Sequence, residues 1–210
     1  NKRIKKMVYA LFMLFALMIT TNVYADTPHN LNLKMVKCDS NKYNNLLTYD
    51  DYNNCYTDYI NGDLSTYVIN NNDEVDAGST IMFILNYVPG SPQVITSINS
   101  RLLIDTAIWT PAEDEGEFLF FETNNWPRKS NYTTDWNYNS ATGVIGGSFV
   151  DSKNKPLTSE TELVYFFLKL NDSATGSASV NFSKEGGRQD VTDFDGTQYE
   201  VNTTDISVNI

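Results

Sequence analysis

The chain is predicted to be all-β, an antiparallel sandwich, and three observations carry the prediction. From about Thr66 onward it consists of short runs rich in β-branched and aromatic residues, each bounded by clusters of Gly, Asn, Asp or Ser. Within "QVITSINSRLLID" the residues Val94, Thr96, Ile98, Ser100 and Leu102 share one parity and their polar neighbours the other, the period of two that separates strand faces. No segment after the N-terminal apolar run keeps a helical period, although "YNNLLTYDDYNNCYTDYI" has room for a short turn of helix.

The elements follow in order. In "NKRIKKMVYALFMLFALMITTNVYADTPHN" four cations, Lys2, Arg3, Lys5 and Lys6, precede an apolar run from Met7 to about Thr21, and Val23-Tyr24-Ala25 supplies small residues for a cut before Asp26. This is the layout of a secretory signal peptide over residues 1–25. A membrane anchor is the competing reading, but the run is short against the roughly 20 residues that a span needs. Cleavage takes 25 residues and four positive charges off a 210-residue chain of net charge −11, leaving 185 residues at −15.

Residues 26–70 read as a polar N-terminal extension rich in Asn, Asp and Tyr. Cys38 and Cys55 are the only cysteines, and in an oxidising compartment an isolated pair is most simply a disulfide. Closing so small a loop stabilises by about 3 kcal/mol and would staple a segment too poor in apolar residues to hold itself. Residues 71–210 are the predicted sandwich. "TIMFILNYV" reads as a buried strand stopped by Pro89-Gly90; "QVITSINSRLLID", "GEFLFFET", "GVIGGSFVD", "TELVYFFLKLN", "SASVNFS" and "TDISVNI" read as the strands after it.

Charge and motif content exclude several classes of function. The acidic balance argues against nucleic acid or anionic membrane surfaces as partners, and no membrane insertion is expected once the signal is removed. His29 is the one histidine and has no ligand partners near it in sequence, so no metal and no cofactor is expected. "DVTDFDGTQYE" invites a calcium reading, but an EF-hand alignment puts Val191 and Asn202 at two key ligand positions, and an Asp-Gly turn between strands fits better. Glu113, Asp114, Glu115 and Glu117 form a charged run with no apolar pocket to separate their pKa values, and no nucleophile elbow or phosphate loop is present. The chain is therefore not expected to be an enzyme.

Four stretches carry a family resemblance. "EVDAGSTIMFILNYVPG" has an acidic-Gly turn leading into an alternating strand, and "ITSINSRLLIDTAIWTP" places Ile104-Asp105 where a Tyr-Asp pair is usual, without the proline that follows it. "DWNYNSATGVIGGSFVDSKNKPLTSETELVYFFLKL" runs from an aromatic strand through a loop to a buried strand, and "GRQDVTDFDGTQYEVNTTDISVNI" closes with an Asp-rich hairpin and last strand. Together, over about residues 74–210, they resemble a bacterial cohesin domain, the module that docks dockerin-bearing proteins. Pro111–Thr133 matches poorly, and residues 26–70 have no counterpart. The resemblance implies a jelly-roll β-sandwich shared with carbohydrate-binding modules. It also implies an extracellular or cell-surface role in assembling polysaccharide-degrading proteins, with a dockerin-like domain as partner.

Carried over position by position, the resemblance puts Ser97 and Asn99 on the third strand of the contact face, Tyr138 on the fifth, and Gly147 and Val150 on the sixth. Arg101 joins Ser97 and Asn99 by strand alternation. Where the family often has an acidic contact this chain has Val150, with Asp151 beside it. Ordinary solvated positions of a sandwich would look the same in sequence. A sugar-binding reading competes: Trp126 and Trp136 stand among Tyr132, Tyr138 and several asparagines, the composition of an aromatic platform for a polysaccharide. Large aromatics are more often buried, which weighs against it.

Overall fold

His29–Lys37 form β1, where His29, Leu31, Leu33 and Met35 are buried and Asn30, Asn32 and Lys34 alternate with them. These residues, placed by the sequence reading in a polar extension, are instead a central strand, and the boundary at residue 70 divides one structural unit. The computed structural model describes residues 27–38, 41–43, 48–114, 117–122, 132–151, 156–183 and 189–210; the expected signal peptide and Trp126 lie outside them.

The tyrosine-rich segment after β1 forms α1 (Tyr49–Ile60). Thr48 caps it by accepting a hydrogen bond from the Asp51 amide, and Asp50 and Asp51 sit in the first turn, where carboxylates favour the helix dipole. The disulfide between Cys38 and Cys55, separated by 17 positions, ties the end of β1 to the middle of α1, as expected. A short turn leads to β2 (Val68–Ile69) and then to β3 (Thr80–Val88), which buries seven consecutive residues from Ile81 to Tyr87. A strand buried on both faces needs a layer on each side. Here the layers are α1 and a second sheet.

The rest of the chain supplies the strands of those sheets. β4 (Ser97–Ile104) is followed by β5 (Trp109–Pro111), the short hairpin β6 (Glu113–Asp114) and β7 (Glu117–Phe118), and β8 (Phe120–Glu122). β9 (Tyr132–Asn139) and β10 (Val144–Asp151) form a second hairpin before β11 (Thr161–Leu170). The chain closes with β12 (Ser177–Phe182), β13 (Asp190–Thr192), β14 (Gln198–Tyr199), β15 (Val201–Thr203) and β16 (Ile206–Asn209).

The helix-covered sheet runs β15-β1-β3-β11-β5, with β2 on β1 and β8 on β11; the open sheet runs β14-β13-β4-β10-β9, with β12 also on β4 and β16 on β12. All pairings of named strands are antiparallel except β1 with β15. The predicted all-β sandwich is therefore observed. Leu31, Phe83, Leu85, Phe166 and Leu168 of one sheet meet Ile98, Leu102, Ile145, Phe149 and Val180 of the other in the main core. A second core lies between α1 and the outer side of the helix-covered sheet, where Tyr56 stacks on Tyr165 at 3.7 Å and Tyr52 meets Phe167 at 4.6 Å between ring centres. His29 belongs to the framework: its Nδ1 accepts from the Gly90 amide and lies 2.7 Å from the Tyr87 hydroxyl, pinning the start of β1 to the end of β3. No helix of the described residues is long and apolar enough to cross a membrane.

Candidate docking surface

With α1 seated on one sheet, the outer face of the other is left uncovered by the described residues, and its composition follows from strand parity. In β4, Ile98, Ser100, Leu102 and Ile104 are buried, which turns Ser97, Asn99, Arg101 and Leu103 outward. Directly paired residues of an antiparallel ladder share a face. The β10 partners of those four are Val150, Ser148, Gly146 and Val144, and the row continues to Asn137 and Asn139 on β9. On the far edge of β4, Asn181 of β12 pairs with Leu103, while Asp190 and Thr192 of β13 pair with Asn99 and Ser97. The result is a flat field of amides and hydroxyls. Arg101 lies toward one end, and Leu103 (38 % exposed) and Val150 (43 %) stand out as aliphatic contacts.

Two local devices keep the field flat. At Gly146 a Cβ would stand 3.1 Å from Arg101 Cγ and 3.3 Å from the Ser100 carbonyl oxygen, so the glycine leaves room for the Arg101 stem to lie across the neighbouring strand. Between β12 and β13 the edge of β4 at Arg101 keeps the bond from the Ser183 amide to the Arg101 carbonyl, and the rest of the ladder is interrupted. Gln189 fills that gap: its Oε1 accepts from the Arg101 amide and the Ser100 hydroxyl, and its Nε2 donates to the Arg101 and Ser183 carbonyls. One side-chain amide thus stands in for a missing strand residue.

Of the residues expected at this surface or in the competing sugar platform, Ser97, Asn99, Arg101 and Val150 lie on the outer face. Four others do not. Gly147 pairs with Ser100 and Trp136, on the inward parity, and Asp151 is buried. Tyr138 shares the face of Trp136 and packs inward against Phe118, with ring centres 6.0 Å apart. Burial, and then the Glu113 charge, raises its phenol pKa. Trp136 is 4 % exposed and lies against Phe149 in the main core, so it cannot offer a ring face to a sugar. Trp126, the other half of the expected platform, is outside the described residues.

The parity that decides these positions was present in the sequence. Ile145 and Phe149, four apart and both apolar, fix the inward side of β10, and with it Gly147 and Asp151. By the same rule Gly146, Ser148 and Leu103, which the sequence reading passed over, belong outside. The Asp-rich hairpin is a turn: Asp193 Oδ1 accepts from the amides of Asp195 and Thr197, its Oδ2 accepts from the Tyr199 hydroxyl, and Gly196 takes φ +82°. Burial pushes the Asp193 carboxyl up, but these hydrogen bonds outweigh it and hold the carboxyl below its ordinary range. Among the described residues no three His, Cys, Asp or Glu side chains converge to hold a metal ion.

No family model matches the sequence, and no curated protein matches it either. Solved structures do. The sixth cohesin of scaffoldin B from Acetivibrio cellulolyticus, in complex with a Cel5 dockerin mutant, superposes with a TM-score of 0.54 at 13% identity, covering 88% of this chain and 99% of that one. The OlpC cohesin bound to Doc435, a type I cohesin–dockerin complex from Clostridium thermocellum, gives 0.54 at 14% identity, covering 87% and 93%. The third ScaC cohesin of Acetivibrio cellulolyticus, in complex with the ScaB dockerin, gives 0.53 at 16% identity, covering 66% and 94%. The chain has a cohesin-like fold.

Proposed function

We propose that this chain is a secreted, non-catalytic docking module that takes a dockerin-like domain on the outer face of the open sheet. The observation that carries the reading is the division of labour between the two sheets. α1 and its disulfide occupy one outer face, and the other is a flat, register-aligned field with an arginine and two exposed aliphatic residues. Interfaces favour arginine anchors in such settings, surrounded by amides and hydroxyls that exclude water without carrying much energy. Docking would be rigid, since every residue of the field sits on a paired strand. The solved complexes named above hold cohesins of this fold with dockerins, which supports the choice of partner. The signal layout of residues 1–25 supports export, and with it a place outside the cell in the assembly of polysaccharide-degrading proteins.

The reading is tested by titrating the mature protein against a panel of purified dockerins, the Cel5 dockerin and Doc435 among them, together with capture of dockerin-bearing proteins from the source secretome. Arg101→Glu and Val150→Asp should each weaken the complex at least about tenfold, on the order of 1.4 kcal/mol. A wild-type protein that captures no dockerin, or variants that bind as wild type does, would overturn it.

A further inference from the structure

A cleft of about 580 Å³ opens at the end of the helix-covered sheet, away from the docking face. Lys37, Asn41, Tyr67, Asp76, Ser79 and Thr80 line it. Backbone bonds hold part of its wall. The Tyr67 amide donates to the Leu64 carbonyl at 2.9 Å in a single 3₁₀ turn, Ser79 closes the turn begun at Asp76, and Cys38, bonded through its amide to the Thr80 carbonyl, is held by the disulfide. The volume falls in the range of small-molecule sites.

The lining narrows the class of ligand. Tyr67 is 39 % exposed and lines the cleft. Lys37 and Asp76 form an ion pair at 3.2 Å, so the charges on the wall balance and select neither a cation nor an anion. What remains is an aromatic surface beside a carboxylate, an ammonium, an amide and two hydroxyls. That set can both donate hydrogen bonds to and accept them from the hydroxyls of an uncharged sugar ring. Two other clefts among the described residues lack the combination. One along β1 and β2, about 280 Å³, has Tyr59 in mostly aliphatic walls without a carboxylate, and one of about 670 Å³ near Glu74 and Asp76 has no aromatic residue.

The geometry points to a saccharide-binding site in this cleft, with Tyr67 stacking on a neutral sugar ring and Asp76 and Lys37 holding its hydroxyls. The site is independent of the docking proposal, because it is built from the other sheet. It also moves sugar recognition from the tryptophans to a tyrosine that is accessible.

Amide-resolved NMR titration of the wild-type protein with glucose, galactose, mannose, xylose and N-acetylglucosamine, with glycine as a zwitterionic control, tests it. At least one sugar should shift the amides of Tyr67, Ser79 and Thr80. Tyr67→Ala should weaken that binding roughly tenfold, an aromatic-stacking effect, while Tyr67→Phe keeps it. Asp76→Asn should weaken it severalfold while leaving the thermal melt unchanged. Shifts confined to glycine, no shift with any sugar, or a Tyr67→Ala protein that binds as wild type does would overturn the site.

Discussion

At the scale of single residues, the outcome at "DWNYNSATGVIGGSF" turned on which way each side chain faces. Trp136 and Tyr138 are two apart on β9 and share the inward face, so the tyrosine that family resemblance assigned to a partner supports the core instead. Tyr138→Ala should therefore cost stability, about 2 kcal/mol for a large, partly buried aromatic, and leave the affinity of the folded protein for its partner unchanged. Urea denaturation paired with a binding titration separates the two; a loss of affinity at unchanged stability would return Tyr138 to the interface. On β4 the outward set Ser97, Asn99 and Arg101 was legible, because Ile98 and Leu102 mark the buried parity in the sequence itself. On β10 the chosen residues Gly147, Val150 and Asp151 mixed both parities, which no single strand face can present. Resemblance without a fixed register does not say which of two adjacent positions is outside.

At the scale of elements, the largest departure from the sequence reading is the layer built by β1 and α1. Tyrosine scored as polar conceals it. Tyr49, Tyr52, Tyr56 and Tyr59 recur at spacings of three and four, a helical stripe, behind the cap residue Thr48. That stripe packs on Met82, Ile84, Tyr165 and Phe167, the outward side chains of β3 and β11. β1 was hidden for another reason: its period of two is carried by Leu31, Leu33 and Met35 set among Asn30, Asn32 and Lys34. What was legible was the staple. Replacing both Cys38 and Cys55 by serine should lower stability by about 3 kcal/mol, since the cross-link closes a short loop in the unfolded chain. The same change should speed amide exchange in α1 and the end of β1 ahead of the open sheet. A denaturant midpoint equal to that of the oxidised protein would show that the tyrosine packing alone holds the layer.

At the scale of the whole molecule, three layers and many partly or fully buried tyrosines give the protein a defined response to alkali. Burial is the first cause of the raised phenol pKa at Tyr43, Tyr52, Tyr59, Tyr87, Tyr138 and Tyr165, and nearby carboxylates such as Glu162 at Tyr59 add to it. Tyr43 is pushed up to about 12 from an ordinary 10.0. Each of these groups has a folded pKa above its unfolded one, so above pH 10 the unfolded chain releases protons that the folded chain retains. Their contribution to stability is complete below the unfolded value near 10 and is lost as pH rises through the folded values. On the acid side the sign reverses. Asp58, lowered chiefly by its hydrogen bond with Lys42 against the opposing effect of burial, stabilises above its unfolded value, and that contribution fades as pH falls. Because six tyrosines from both cores act together on the alkaline limb, unfolding there should be steep and cooperative. Phenolate absorbance from these residues should rise only as the circular dichroism of the strands disappears. Full phenolate formation with the sandwich intact would mean that the tyrosine layer opens locally, and would place α1 outside the cooperative unit.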